Sequence, residues 1–214
     1  MSYTLYGFAM SSCTQRIRSI LNYKKIPYTQ VSVNFLKKEQ LTEEYKKIHP
    51  RQIIPALVTP EGHTLIESLT IAEYLEETHP EKPILPKNKI QRAQVRAIAE
   101  YINSSIQPFQ HLGIQQYINS HSEKQLEWKD QWTHWNMLGI SNLEKSISRT
   151  RGRFSVGDQL TLADIMIYCQ IDSAQTRFGL DFGQYHNIMN IYFNVNNIKE
   201  IEQSRGIYQH DFPK

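Results

Sequence analysis

Cysteines and metal-binding patterns are scarce in this chain. Its 214 residues include only two cysteines, Cys13 and Cys169, which lie in different contexts and form no C-x-x-C pair. This usage argues against a disulfide framework and against a structural zinc site. Eight histidines are scattered along the chain, and none forms an H-x-x-x-H pair. We therefore expect no metal site.

Long apolar runs and clusters of one charge are also missing. No apolar run approaches the length of a membrane helix, and the N-terminus lacks the basic, apolar and small-residue order of a signal peptide. The net charge is +3, from 24 Lys and Arg against 21 Asp and Glu, without a basic tract. These features argue against a membrane or nucleic acid as the partner, and we expect a cytoplasmic protein.

The residues that are present describe a globular protein whose first part mixes strands and helices. Hydrophobic residues make up 40% of the chain and charged residues 21%, an ordinary globular balance. Strand-like segments occupy residues 3–8, 28–33, 53–58 and 63–66, with helical segments between and after them. This order predicts a small mixed four-stranded sheet covered by helices, an α/β arrangement.

The pattern changes at a proline-rich stretch and is helical from there on. Residues 80–86 contain three prolines, so we predict a domain at 1–80, a linker at 81–87 and an all-helical domain at 88–214. Two sets of apolar residues at helical spacing predict core-facing helices: Ala93, Ala97, Ile98, Tyr101 and Ile102 in one, and Trp128, Trp132 and Trp135 in the other. Such stripes are more often core than ligand site.

The segment that joins the first strand to the first helix concentrates hydroxyls and a thiol. Ser11, Ser12, Cys13 and Thr14 precede apolar residues at helical spacing, which places them at a helix N-terminus. The unpaired N–H groups and the positive dipole end there stabilise an anion such as a thiolate. Two simpler interpretations remain open at this point: the hydroxyls cap the helix, and the cysteine is a small buried hydrophobe.

Two further positions call for a physical explanation. Pro55 begins an apolar strand, where it cannot donate a ladder hydrogen bond. A cis Ile54-Pro55 peptide, which would turn the Ile54 backbone outward to an extended ligand, is one explanation, and a trans proline at the first strand position is the other. Thr161 and Asp164 have the spacing of a capping box before an apolar run, which predicts a role in folding.

Taken together, these motifs resemble those of the glutathione transferase family, and within it the zeta class. Residues 11–18 (Ser-Ser-Cys-Thr-Gln-Arg-Ile-Arg) are similar to the zeta signature S-S-C-x-x-R-V-R. Ile54 and Pro55 match the family's cis-proline position, and Glu67 with Ser68 matches its γ-glutamyl site. The resemblance covers nearly the whole chain. It implies a thioredoxin-like N-terminal domain followed by an all-helical domain, in agreement with the pattern above.

The resemblance also implies how glutathione is bound. Ser11 would donate a hydrogen bond to the glutathione sulfur and, with the helix N-terminus, lower the thiol pKa. Ile54 and Pro55 would present main-chain groups to the cysteinyl part. Ser68 would hold the γ-glutamyl carboxylate and Glu67 its ammonium group, although Gln is common before this Ser in the zeta class. Gln40 falls where the class has a glutathione-contacting Gln.

For the second substrate, the resemblance implies residues of the helical domain. Gln107 and His111 match positions near glutathione, Gln107 also lies toward the substrate, and Arg177 would bind a substrate carboxylate; the alternative for Arg177 is a solvated helix residue. Met10 stands where many zeta members have Arg. Ser12 and Cys13 belong to the predicted catalytic segment, with Cys13 either modulating the site or acting as a reactive thiol.

Three functions are therefore consistent with the sequence. The first is a glutathione-dependent cis–trans isomerase of maleylacetoacetate-like substrates, as in tyrosine and phenylalanine catabolism. The second is a general transferase that conjugates glutathione to electrophiles. The third is a non-catalytic ligand-binding or interaction module. The resemblance also implies a homodimer.

Overall fold

The computed structural model describes residues 2–123 and 127–213, and its chain forms two compact units. The first unit contains Met1–Ile84 together with Val195–Lys214, and the second contains Leu85–Asn194. The C-terminal segment from Val195 thus clusters with the first unit, whereas the sequence pattern placed it in the helical domain. In the part of the chain that is described, no helix is long and apolar enough to cross a membrane.

A four-stranded sheet forms the centre of the first unit. Its strands are β1 (Tyr3–Gly7), β2 (Tyr28–Ser32), β3 (Ala56–Val58) and β4 (Thr64–Ile66). They lie in the order β2-β1-β3-β4, with β1 and β2 parallel and β3 antiparallel to both β1 and β4. The mixed sheet is as predicted, although β3 begins at Ala56 rather than at residue 53.

The helices of the first unit bury apolar side chains against one another and against the sheet. They are α1 (Ser12–Lys24), α2 (Glu43–Ile48), α3 (Ser68–Thr78) and, near the C-terminus, α9 (Lys199–Glu202). Residues 35–41 form two short 3-10 turns before α2. α1 contacts both α3 and α9. The apolar side chains on its buried face are Ile17, Ile20 and Leu21, and each is fully buried.

The long elements of the second unit are all helices in its described part, and the loop between residues 147 and 162 contains an isolated bridge between Arg151 and Gly157. Its helices are α4 (Lys89–Ser105), α5 (Leu112–His121), α6 (Trp128–Ile147), α7 (Leu162–Phe178) and most of α8 (His186–Asn196), with a 3-10 turn at Gln107–Gln110. Every residue of α7 from Leu162 to Ala174 is buried, so α7 is the central helix. The predicted capping box is present at its start, where both the N–H and the hydroxyl of Thr161 donate to Asp164.

Two predicted apolar stripes are only partly buried. Trp132 is core, being 1% exposed, and Trp135 is half-buried; the side chain of Trp128 lies outside the described residues. In α4 the prediction was wrong at Ala93 and Ala97, which are exposed. The buried face of that helix instead consists of Val95, Ile98, Ala99 and Ile102.

Candidate active site

The loop between β1 and α1 places Ser11 at the N-cap of α1. Its Oγ accepts a hydrogen bond from the N–H of Thr14 at 3.1 Å. The Thr14 side chain is itself buried and packs against Gly7, where a Cβ would lie 2.1 Å from Thr14 Cγ2. Thr14 Oγ1 also accepts from the N–H of Phe8 at 3.4 Å. Gly7 and Thr14 therefore fix the course of the chain toward Ser11.

The two residues that follow Ser11 differ in exposure. Ser12 is 7% exposed, whereas Cys13 is half-buried and its thiol is free of any disulfide. No acidic residue lies in the first turn of α1, so nothing in that turn opposes a negative charge at the helix N-terminus. Cys169 is buried in α7. Catalytic roles for Ser12 and Cys13 stay predictions.

The loop before β3 contains the cis Ile54-Pro55 peptide that was predicted as one of two alternatives. The hydroxyl of Tyr45, from α2, donates to the carbonyl of Ile53 at 2.7 Å. The Tyr45 ring is stacked on that of His49, with 6.4 Å between centroids. Because His49 is fully buried, the pKa of its imidazole is lowered. Tyr45 and His49, which the sequence analysis did not single out, thus support this loop.

The start of α3 presents Glu67 and Ser68 in different surroundings. Glu67 has a positive φ of 66° and forms an exposed ion pair with Arg51, in which Nη1 and Oε1 are 2.6 Å apart. Ser68 is 6% exposed, and its Oγ accepts from Nη1 of the buried Arg16 at 3.0 Å. Arg16 therefore links α1 to the start of α3. Arg51 was not predicted, because a pairing across 16 residues leaves no local signal.

The sheet brings these three segments to one end of the first unit. Tyr6, one residue before the end of β1, is opposite Ala56, the first residue of β3. Ala56 is also opposite Ile66, the last residue of β4. The loop that follows β1, the loop that precedes β3 and the helix that follows β4 consequently emerge at the same edge of the sheet. Ser11, the Ile54-Pro55 peptide and Glu67 with Ser68 all belong to these segments.

Gln40 lies in the second 3-10 turn before α2 and is half-buried. Its side-chain oxygen is buried and accepts no hydrogen bond from residues 2–123 or 127–213. A buried oxygen without a donor carries an energetic cost. A ligand N–H could remove that cost.

Two predicted residues of the second unit lie around the start of α5. Gln107 is half-buried at the beginning of a 3-10 turn. His111 is exposed and is the N-cap of α5, where its Nδ1 accepts from the N–H of Gly113 at 3.2 Å. This bond assigns the proton of a neutral imidazole to Nε2. Ligand contacts by either residue stay predictions.

Arg177 lies at the end of α7 among aromatic rings. Its guanidinium carbon is 4.8 Å from the ring centroid of Trp132 and 5.2 Å from that of Phe178. Burial lowers the pKa of Arg177 to about 10, so the side chain stays a cation at neutral pH. The solvated-helix alternative does not describe this environment, because the guanidinium is packed against aromatic faces. Within the described residues no cluster of three or more His, Cys, Asp or Glu could hold a metal ion.

Comparison with protein families places both parts of the chain. Residues 5–83 match the model of the glutathione S-transferase N-terminal domain, and residues 113–203 match that of the C-terminal domain. Among curated proteins, the chain is 40% identical over 189 residues to a probable maleylacetoacetate isomerase 2 of Drosophila melanogaster, covering 87% of this chain and 80% of that protein. It is 36% identical to a zeta-class glutathione S-transferase of Euphorbia esula, with 97% and 91% covered.

Solved structures agree with these matches. A maleylacetoacetate isomerase from Anaeromyxobacter dehalogenans, with glutathione bound in its active site, has a TM-score of 0.87 at 31% identity and covers 99% of this chain and 98% of its own. A second structure from that organism holds dicarboxyethyl glutathione and citrate, with a TM-score of 0.85, 30% identity and 99% and 94% covered. This chain therefore belongs to the glutathione transferase family and, within it, to the zeta class that contains the maleylacetoacetate isomerases.

Proposed function

We propose that this chain is a glutathione-dependent cis–trans isomerase of maleylacetoacetate-like substrates. One observation carries the proposal: three segments emerge at one edge of the sheet. They are the N-terminus of α1 with the Ser11 hydroxyl, the cis-proline loop before β3, and the start of α3 with Glu67 and Ser68. These are groups that can hold the thiol, main chain and charged end of a small peptide. The names and bound ligands of the zeta-class relatives support the same reaction.

The first unit is assigned to glutathione binding. Ser11 can keep its cap and still donate, because the hydroxyl accepts from Thr14 with a lone pair and retains its own proton. Ile54 and Pro55 would present main-chain groups, Gln40 would accept from a ligand N–H, and Glu67 and Ser68 would hold the γ-glutamyl end. The buried side-chain oxygen of Gln40, which accepts no hydrogen bond from the described residues, is available to such a ligand N–H.

Glutathione, when bound, would supply a thiolate that can add to one carbon of the cis double bond, which makes that bond single and free to rotate, and that can leave again as the double bond re-forms. The residues of the chain have two tasks in this reaction. Ser11 and the N–H groups of α1 hold the thiol in its ionised form. Cations and amide donors hold the substrate's carboxylates and the negative charge that develops on it.

The second unit is assigned to the substrate. Arg177 is a cation packed on Trp132 and Phe178, and it would bind a carboxylate of the substrate through its planar fork of donors. Gln107 and His111 would add amide and imidazole donors. We further propose residues 1–80 as the glutathione domain, 81–87 as a linker and 88–214 as the substrate domain, of which the segment from Val195 clusters with the first unit. We also propose a homodimer and a cytoplasmic location.

The test measures isomerisation and consumption of free thiol side by side, first in the wild type and then in variants of Ser11. A cis-enone dicarboxylate should isomerise with catalytic glutathione and with no loss of free thiol. Ser11→Ala should lower kcat/KM by about a hundredfold, the scale of one lost transition-state donor, whereas Ser11→Thr should keep most of the activity. Full activity of the double variant Ser11→Ala, Cys13→Ala would contradict the assigned site.

Conjugation of electrophiles is the second candidate, and Met10 favours it. Many zeta members have Arg at this position, so one cation for dicarboxylate recruitment is absent from this loop. Stoichiometric thiol consumption with an aryl halide, and no turnover of the dicarboxylate, would identify a transferase. Failure to bind immobilised glutathione would leave a non-catalytic module.

A further inference from the structure

The main chain of Ala9, two residues before Ser11, is held at both of its polar groups. Its N–H donates to Oδ2 of Asp211 at 3.3 Å. Its carbonyl accepts from Nη2 of the fully buried Arg18 at 3.3 Å. One of these partners comes from α1 and the other from the C-terminal segment. The loop is thus tied to an element 202 residues away in sequence.

The C-terminal segment approaches this loop closely at a second point. A Cβ on Gly206 would lie 2.4 Å from the carbonyl oxygen of Ala9, so only glycine allows this approach. Just before it, the carbonyl of Ser204 accepts from Nε of Arg18 at 2.9 Å, and the hydroxyls of Ser19 and Ser204 are 2.6 Å apart. Arg18 therefore binds the loop and the C-terminal segment with one guanidinium.

Asp211 also ties the loop to the sheet. The same Oδ2 accepts from the hydroxyl of Ser32 at 2.7 Å. Ser32 is the last residue of β2 and lies opposite Gly7, the last residue of β1. The other oxygen of Asp211 is buried and accepts nothing from residues 2–123 or 127–213. Ser32 and Ala9 are thus the donors that compensate this carboxylate.

Ala9 and Ser11 lie in a single turn, so a contact that holds Ala9 also restrains Ser11. The N–H of Ser11 donates to the carbonyl of Phe8 at 3.1 Å, so Ala9 and Ser11 belong to the same hydrogen-bonded turn. We propose that Asp211 is a positioning residue: it holds this turn and thereby sets how well Ser11 stabilises the thiolate of the bound ligand. The proposal rests on the function proposed above.

The test compares Asp211→Ala with Asp181→Ala in the full-length chain. Asp181 is an exposed carboxylate whose Oδ1 accepts from the N–H of Gly183, so its variant removes the same charge elsewhere. Asp211→Ala should speed amide exchange at residues 9–11 by at least about tenfold. It should also raise the pKa of the bound glutathione thiol by about half a unit to one unit, and lower kcat by about threefold to tenfold. Asp181→Ala should change none of these.

Two results would overturn the proposal. One is unchanged exchange at residues 9–11 in Asp211→Ala, and the other is faster exchange with an unchanged thiol pKa. If Asp211→Ala fails to fold, Asp211→Asn, which keeps one acceptor oxygen, should show the same changes at smaller size. Failure of the proposed function is distinguishable, because the wild type itself would then not isomerise the dicarboxylate, while the exchange comparison between the variants would still report on the turn.

Discussion

Ser11 shows how a cap and a functional hydroxyl coincide in one residue. The sequence left both interpretations open, and the structure confirms the cap through the bond from Thr14. A hydroxyl that accepts still has a proton to donate. Capping and binding of a sulfur are therefore compatible at this position.

Glu67 allows a residue-scale prediction that separates binding from stability. Its ion pair with Arg51 is exposed, with side chains 69% and 48% accessible for Arg51 and Glu67, and such pairs contribute only about 0.2–1 kcal/mol. Glu67→Ala should therefore weaken glutathione binding by about tenfold, or 1.4 kcal/mol, while the free energy of unfolding changes by less than about 1 kcal/mol. Isothermal calorimetry and urea unfolding measure the two quantities.

Arg51→Ala is the matched control for this prediction. It removes the same ion pair but leaves the carboxylate, so its glutathione affinity should stay within about threefold of wild type, or 0.7 kcal/mol. Equal losses of affinity in the two variants would mean that Glu67 does not bind the ligand directly.

His49 makes a pH-dependent contribution to stability. Its burial lowers the pKa of the imidazole below the ordinary 6.5, so the unfolded chain takes up the proton at a higher pH than the folded one. The contribution of His49 to the free energy of unfolding is therefore fully present above pH 6.5 and is lost as the pH falls toward the pKa of the folded state. Urea unfolding should show that the change from pH 7.5 to 5.0 costs the wild type about 1 kcal/mol more than His49→Phe.

The exposed His63 provides the comparison for this experiment. His63→Gln should keep the pH dependence of the wild type. A His49→Phe variant that loses the same stability on acidification as the wild type would show that other groups cause the effect.

At the scale of elements, a buried ion pair joins α1 and α3 to the segment that follows them. Nζ of Lys24 is 2.7 Å from Oε2 of Glu76, and the side chains are 1% and 7% exposed. Lys24 also donates to the carbonyls of His79 and Lys82, and Glu76 accepts from the N–H of Ile84. The pair thus fixes the proline-rich stretch after α3.

Breaking this pair should be costly. Lys24→Met leaves a buried carboxylate without its cation, so we expect a loss of about 3–5 kcal/mol in the free energy of unfolding, measured with urea. The double variant Lys24→Met, Glu76→Gln should recover part of that loss because no charge is then buried. A single variant as stable as wild type would contradict the role assigned to the pair.

For the whole molecule, ligand binding should appear as stability. A ligand that binds only the folded chain adds about 2.7 kcal/mol at a concentration one hundred times its Kd. We expect glutathione to raise the melting temperature by that mechanism, measured by differential scanning calorimetry. Ophthalmic acid, which has a methyl group in place of the thiol, tests the sulfur contact. It should stabilise the wild type less than glutathione, and Ser11→Ala should reduce the difference.

Local pattern was enough for the order of elements and for the motifs. The four strands, the change to helices after the prolines, the capping box at Thr161 and Asp164, and the first helix all follow from periodicity and turn chemistry. The predicted buried stripe of α4 was wrong at Ala93 and Ala97, because alanine is small and occurs on both buried and exposed faces of helices. The buried face there includes Val95 and Ile102, and α4 packs against α7, which is distant in sequence.

The sequence by itself determined that Ser11 begins a helix, that a strand begins close to Pro55 and that an acidic residue and a serine begin α3. Each of these depends on neighbours within a few residues. Only the tertiary structure decided that Arg51 faces Glu67, that Arg16 reaches Ser68 and that Asp211 holds Ala9. Those partners are far apart along the chain, and sheet pairing and core packing bring them together.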